Sequence, residues 1–250
     1  MINKSYKFIF LCSLLLLNTA CFRFNQHEQG QYKRSTFIKS ATHHKVRAGE
    51  TLYSIAFEYG RDHRDVARWN KIRKPYTIFP KQKIRIVPIR SDRKPYKRAV
   101  KTPTQPKYRT KKYSPPNNKT QYVSSKKLKW QWPTNGKVVS TFSIRDPGRR
   151  GIDIVARKGQ PIKAAAEGYV VYRGNGLRGY GNLIILKHNE TYFSAYAHTE
   201  GVVVKEKEKV KLGQHIADMG NTSSDKTKLH FEIRRNGKPV NPLSYLPKQR

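Results

Sequence analysis

Few side chains in this sequence could do chemistry at a centre, and they are spread over its C-terminal half. Asp153, His198 and His230 are a carboxylate and two imidazoles, groups that can ligate a divalent cation or move a proton. Two cations stand at close spacing to them. Arg149 lies four residues before Asp153, and Lys228 two residues before His230. A guanidinium is protonated at any useful pH and has no lone pair to give a metal. Arg149 could instead pair with Asp153 and occupy its carboxylate. Lys228 makes a poor general base unless burial lowers its pKa by several units. Two further histidines carry weaker signals: His188 reads as an exposed strand-end residue, and His215 as surface or packing.

The elements that must position these groups are strands. Lys137 to Phe142, Ile152 to Val155, Gly168 to Tyr172, Leu183 to Leu186, Tyr192 to Tyr196, Gln214 to Met219 and Leu229 to Ile233 are β-rich, with Gly, Asn and Pro between them. No amphipathic helix of useful length interrupts residues 130–247. Strands so closely spaced predict an antiparallel sheet or sandwich.

Residues 43–89 read differently. Thr51 is a plausible N-cap, and Leu52, Ile55, Ala56 and Tyr59 follow at i, i+3, i+4 and i+7, one apolar helical face. Gly60 suits the position after that helix. Asp62 can cap a second helix carrying Val66, Ala67 and Trp69, and Lys83 to Val87 alternates as a half-buried strand does. The order is strand, helix, helix, strand. The expected fold class is therefore a small α+β module (βααβ) plus an all-β-rich domain.

Composition says what joins them. The chain has 250 residues, 52 Lys+Arg against 16 Asp+Glu, and a formal charge of +36. Its mean hydropathy is −0.79, which excludes a multi-span membrane protein. Much of the charge sits in residues 90–129, where 14 Lys/Arg face a single acid, Asp92, among five prolines. Such a segment cannot bury enough apolar surface to offset its ordering entropy, and reads as a disordered linker. Its interleaved tyrosines could stack on bases, but an exported protein meets little nucleic acid. The expected reading is a spacer that clings to anionic membrane or cell wall, and no nucleic-acid partner is expected.

The start of the chain explains why it should be exported. Lys4 and Lys7 precede an apolar run, Phe8 to Leu17, too short to span a bilayer and suited to a secretory signal. Thr19, Ala20 and Cys21 follow, and this resembles the lipobox of bacterial lipoproteins. The resemblance implies a signal peptide at 1–20, lipidation at Cys21 and a polar tether over 21–42. Phe22 stands where an inner-membrane retention signal would have Asp, which implies the outer membrane.

Both folded segments resemble known families. Residues 43–89 resemble the LysM domain through Val46, the GETL run at 49–52, Ile55, Ala56, Asn70, Ile72, Pro75, Ile84 and Ile86 to Pro88. Lys81 stands where that family commonly has a Gly. LysM domains bind N-acetylglucosamine-containing glycans such as peptidoglycan. The resemblance implies glycan-binding loops at Gly49, Glu50, Thr51 and Leu52 and at Asn70, Ile72 and Pro75. Residues 130–247 resemble the LytM domain, the M23 peptidase family, through GRRGIDIV (148–155), GYGNLIILKHNE (179–190), FSAYAH (193–198) and LHFEIRRNGKPVNPLSYLP (229–247).

In that family an H-x3-D motif and the second His of an H-x-H motif ligate zinc. Asp153 and His230 match. Arg149 replaces the first His and Lys228 the catalytic His of H-x-H, while His198 matches a further catalytic-site His. A catalytic zinc needs three protein ligands and an open position; two leave the ion mostly hydrated. The resemblance thus implies no retained zinc, no catalytic residue, and a groove at Arg149, Asp153, His198, Lys228 and His230 kept for docking. Lipobox, LysM and degenerate LytM together resemble the murein hydrolase activators of Gram-negative bacteria. This implies a periplasmic N-acetylmuramoyl-L-alanine amidase as partner beside peptidoglycan and the membrane, with septal wall splitting as the process. An active zinc endopeptidase and a passive tether from outer membrane to wall are the alternatives.

Overall fold

A computed structural model describes residues 41–89, 128–146 and 148–248. The leader, Cys21, nearly all of the tether and most of the basic linker lie outside the described residues.

The small domain forms as its caps direct. Strand β1 (His43–Lys45) pairs antiparallel with β2 (Lys83–Arg85), placing His44 opposite Ile84. Helix α1 (Leu52–Glu58) starts at Thr51, whose hydroxyl accepts from the Ser54 amide while the Ser54 hydroxyl accepts from the Thr51 amide. This reciprocal cap satisfies two amides that the first turn would otherwise leave unpaired. Helix α2 (His63–Trp69) is capped by Asp62. Leu52, Ile55, Ala56, Val66, Ile84 and Ile86 close one small core. Lys81 adopts a left-handed φ of 72°, which is why a Gly suits that turn: a Cβ there is strained. Phe57 is buried as well, but not in this core; it packs on the other domain.

The large domain is built from β3 (Lys137–Ser140), β4 (Ile152–Val155), β5 (Pro161–Lys163), β6 (Gly168–Gly174), β7 (Leu183–Lys187), β8 (Tyr192–Ala197), β9 (Thr199–Glu200), β10 (Lys209–Val210), β11 (His215–Met219), β12 (Leu229–Arg235) and β13 (Lys238–Val240). One sheet runs β10-β6-β7-β8-β12-β4-β3, with β13 paired to β12, and a smaller sheet runs β5-β11-β9. The pairings are antiparallel. Ile152, Ile154, Ile184, Leu186, Tyr196 and Phe231 of the large sheet pack against Ile162, Ile216, Ala217 and Met219 of the smaller one.

Strand alternation leaves a second face, and here it is not wet. Every residue of β7 is buried. Ile184 and Leu186 enter the inter-sheet core, whereas Leu183 and Ile185 point the other way, with Tyr172, Phe193 and Ala195. A strand apolar on both faces needs cover on both. Phe57 of α1 is part of that cover.

His188 corrects one sequence expectation. It is not an exposed strand-end residue but is 2% exposed, with Nδ1 2.7 Å from the Glu167 carbonyl and Nε2 2.8 Å from the Ser194 hydroxyl. The carbonyl can only accept, so Nδ1 donates to it. Burial lowers the ring's pKa to about 4, so it is neutral at pH 7. His215 is exposed and bonds Asp218. Unfolded His188 takes a proton near pH 6.5 that the folded ring refuses until about pH 4. Its contribution is therefore present above pH 6.5 and lost as pH falls toward 4, a loss of up to about 3 kcal/mol. Urea titrations across that window should show stability falling with acid, and a shallower fall in His188→Gln.

Candidate functional site

The groove is centred on one carboxylate. In β4, Ile152 and Ile154 face the core, which turns Asp153 to the opposite side of the strand. Register places His230 of β12 directly opposite Asp153. His230 Nδ1 lies 2.6 Å from Asp153 Oδ1, and Lys228 Nζ donates to Oδ2 at 2.8 Å. Both carboxylate oxygens are engaged by nitrogens. Burial pushes the Asp153 pKa up, but the bonds and charges of His230 and Lys228 outweigh it and hold the group down to about 2.

Below Asp153 the polar contacts continue along one face of β12. His230, Glu232 and Arg234 stand at i, i+2 and i+4, each at most 5% exposed. His230 Nε2 is 3.2 Å from Glu232 Oε1, which also accepts from the Tyr180 hydroxyl at 2.9 Å. Arg234 Nε donates to Glu232 Oε2 at 2.8 Å. Burial by itself would depress the His230 pKa, but carboxylates on both ring nitrogens raise it instead. The doubly protonated ring can donate to both. Burial likewise opposes the charge on Glu232, yet Arg234 and His230 hold its carboxyl well below the usual carboxylate range.

His198 ends β8 with φ 63°, its Nδ1 2.8 Å from the Thr222 carbonyl and its ring centroid 6.3 Å from that of His230. Burial is the main cause lowering its pKa to about 4, so it is neutral at pH 7. Arg149 does not pair with Asp153 as the sequence suggested. Its guanidinium donates to the Thr141 carbonyl and hydroxyl, both at 2.8 Å. The tight turn leading into Arg149 accounts for this: Arg149 bonds back to Ser143 and Asp146 through its backbone, which folds the side chain over the end of β3. The carboxylate goes to Lys228.

The structure thus brings Asp153, Lys228, His230 and His198 together and turns Arg149 away. As donors toward a divalent cation, Asp153, His198 and His230 carry lone pairs, whereas positions 149 and 228 hold cations. Among the described residues, the set whose ligand atoms all lie within 4.8 Å is His44, Glu50 and Glu58 in the small domain, not the groove residues. That set is already knit together, with His44 Nε2 on Glu50 at 2.7 Å and Nδ1 on the Tyr59 hydroxyl at 3.0 Å.

Glu232, Arg234 and Tyr180 escaped the sequence reading. Their signal was present: polar residues at 230, 232 and 234 alternate with Leu229, Phe231 and Ile233, so a wholly buried strand must carry a polar face. In the small domain, several predicted glycan-loop side chains also serve the fold. Leu52 is core, Glu50 accepts from His44 and the Arg47 amide, and Asn70 ties α2 to β2 through Val66 and Arg85. Thr51 caps α1, Ile72 packs partly on the core, and Pro75 and Gly49 are exposed.

Fold and groove define a LysM module joined to a domain of the M23 peptidase type. Peptidase family M23 matches residues 147–242, and the LysM domain matches 44–87. The chain is 39% identical to lipoprotein YgeR of Escherichia coli K12, over 99% of this chain and 95% of that one. It is 43% identical to the lipoprotein NlpD/LppB homolog of Pseudomonas aeruginosa, over 82% and 76%. It is 38% identical to the murein hydrolase activator NlpD of E. coli K12, over 88% and 70%. The chain belongs to this NlpD family.

The two cations should behave differently. Lys228→Met leaves Asp153 partly buried with His230 alone, which should cost about 1–2 kcal/mol and raise the Asp153 pKa. Arg149→Ala removes only bonds to Thr141 and should cost less than about 1 kcal/mol, with the Asp153 pKa unmoved. Denaturant titration and carboxyl NMR titration check both.

Proposed function

We propose that this chain is a non-catalytic outer-membrane lipoprotein, anchored through Cys21, that binds peptidoglycan through its LysM loops. Its M23-type groove binds and activates a periplasmic N-acetylmuramoyl-L-alanine amidase that splits septal wall. The observation that carries the reading is the engagement of Asp153: an ammonium at 2.8 Å and an imidazole at 2.6 Å take its two oxygens. Lys228 supplies positive charge where an M23 peptidase would have a histidine, and position 149 offers no lone pair. Both Asp153 oxygens and both His230 nitrogens are already engaged, so these residues fall short of the three free donor ligands a catalytic zinc site needs. The relatives named as murein hydrolase activators support the activator role.

A groove without a metal can still act by contact. The chain carries a formal charge of +36 and the Lys228 ammonium stands in the groove, so the site favours an acidic or carboxylate-bearing segment. If the groove captures an inhibitory segment of the amidase, it favours the open enzyme. A tenfold preference for that state needs about 1.4 kcal/mol of differential affinity. Lipid anchor and LysM add to this by raising the local concentration at the wall.

Dye release from labelled peptidoglycan tests the proposal. The protein alone should release nothing, and a periplasmic amidase should release more in its presence. EDTA-sensitive release by the purified protein alone would establish the endopeptidase reading instead. Cell separation unaffected by deletion of residues 130–250 would establish the passive tether. A second test concerns the donors: Arg149→His with Lys228→His should raise zinc affinity by at least about tenfold, given the strength of metal–ligand bonds, read by competition with a chromogenic chelator.

A further inference from the structure

The second face of the large sheet has an occupant, and it is the LysM domain. Phe57 leaves its own domain's core and lies over the Arg234 guanidinium, 3.2 Å from ring centroid to Cζ, while its carbonyl accepts from Arg234 Nη1. Tyr53 and His63 pack against Phe193, with ring centroids 6.1 and 5.3 Å away. The approach is backbone-close at one point. Gly237, in the turn between β12 and β13, leaves no room for a Cβ, which would run into the Arg61 carbonyl.

Both predicted glycan loops take part. In the first, the Thr51 hydroxyl donates to the Val171 carbonyl of β6 at 3.1 Å. In the second, Lys74 Nζ meets Glu190 at 3.4 Å, in the hairpin between β7 and β8. Tyr76 of that loop stacks edge-on against Tyr53, which itself faces Phe193. The side of LysM that the glycan reading assigns to sugar is the side held by the sheet. A glycan strand laid between the two loops would have to displace Val171 from Thr51 and Glu190 from Lys74.

We propose that the LysM domain is an intramolecular ligand of the M23-type sheet, and that docking and peptidoglycan binding exclude one another. Glycan then draws LysM off the sheet and bares Phe193, Ile185 and Arg234 as a surface. By linkage, whatever loosens docking tightens glycan binding by the same factor. The proposal rests on the glycan reading of the LysM loops.

The test measures binding of N-acetylglucosamine oligomers by calorimetry to the mature chain, to Phe57→Asp and to Gly237→Val. Phe57→Asp breaks docking from the LysM side without touching the LysM core. Gly237→Val breaks it from the sheet side and leaves every LysM residue in place. Both variants should bind at least about tenfold more tightly than the unaltered chain, equivalent to about 1.4 kcal/mol of docking free energy. Should Phe57→Asp unfold its domain and lose binding outright, Gly237→Val decides. Equal or weaker binding by Gly237→Val overturns the competition and leaves the glycan reading standing. Binding by none of the three overturns the glycan reading, and the competition with it.

Discussion

Glu232 is the constraint around which the large domain is organised. It has no exposure, and a lone buried carboxylate would be too costly to keep ionised. The strand solves this by placing a nitrogen-bearing side chain on either side of it, His230 two residues before and Arg234 two residues after, with the Tyr180 hydroxyl as a further donor. Each solution creates a further demand. His230 needs a second acceptor and finds Asp153; Asp153 has a second oxygen and finds Lys228. On the other side, the flat face of Arg234 needs desolvated company and finds Phe57. One buried charge thus links the groove at one end of β12 with the domain contact at the other.

Positions 149 and 228 both hold cations, and of the two it is Lys228 that completes the network on Asp153. The Lys228 ammonium donates to one Asp153 oxygen and the His230 ring meets the other. Ion pairs of this kind stabilise only when geometry and hydrogen bonding are both good, and the 2.6 and 2.8 Å contacts meet that condition. The groove side chains are thus held in place by one another.

Much of this was legible beforehand, and the reasons differ by element. Helix α1 could be read because Thr51, the apolar stripe and Gly60 agree with one another. The strands of the large domain were legible from alternation and punctuation, although short ones such as β9 and β10, two residues each, give no periodic signal. The proximity of Asp153, His198, Lys228 and His230 followed from the resemblance of their motifs to those of the M23 family, whereas Arg149, expected with them, lies on Thr141. Their partners were not legible: Arg149 was expected on Asp153, and only the backbone turn that bonds it to Ser143 and Asp146 sends it to Thr141. Nor did His188 betray its burial, because a strand-end position looks solvent-facing until Glu167 and Ser194 are seen to close over it. Phe57 is instructive in the same way. It sits one position beyond Ala56 on the helix, off the apolar stripe, and such a residue announces a contact without naming what it touches.

The order of the segments along the chain has a consequence for biosynthesis. The lid over the sheet's second face comes from residues 51–63, while the face itself is assembled from residues 171–234. Translation runs from the amino end, so the lid is complete and capped before the first strand beneath it exists. The greasy surface of Ile185, Phe193 and Tyr172 is born into the presence of its cover. A permuted chain carrying the small domain last would leave that surface without its cover until the final residues emerge.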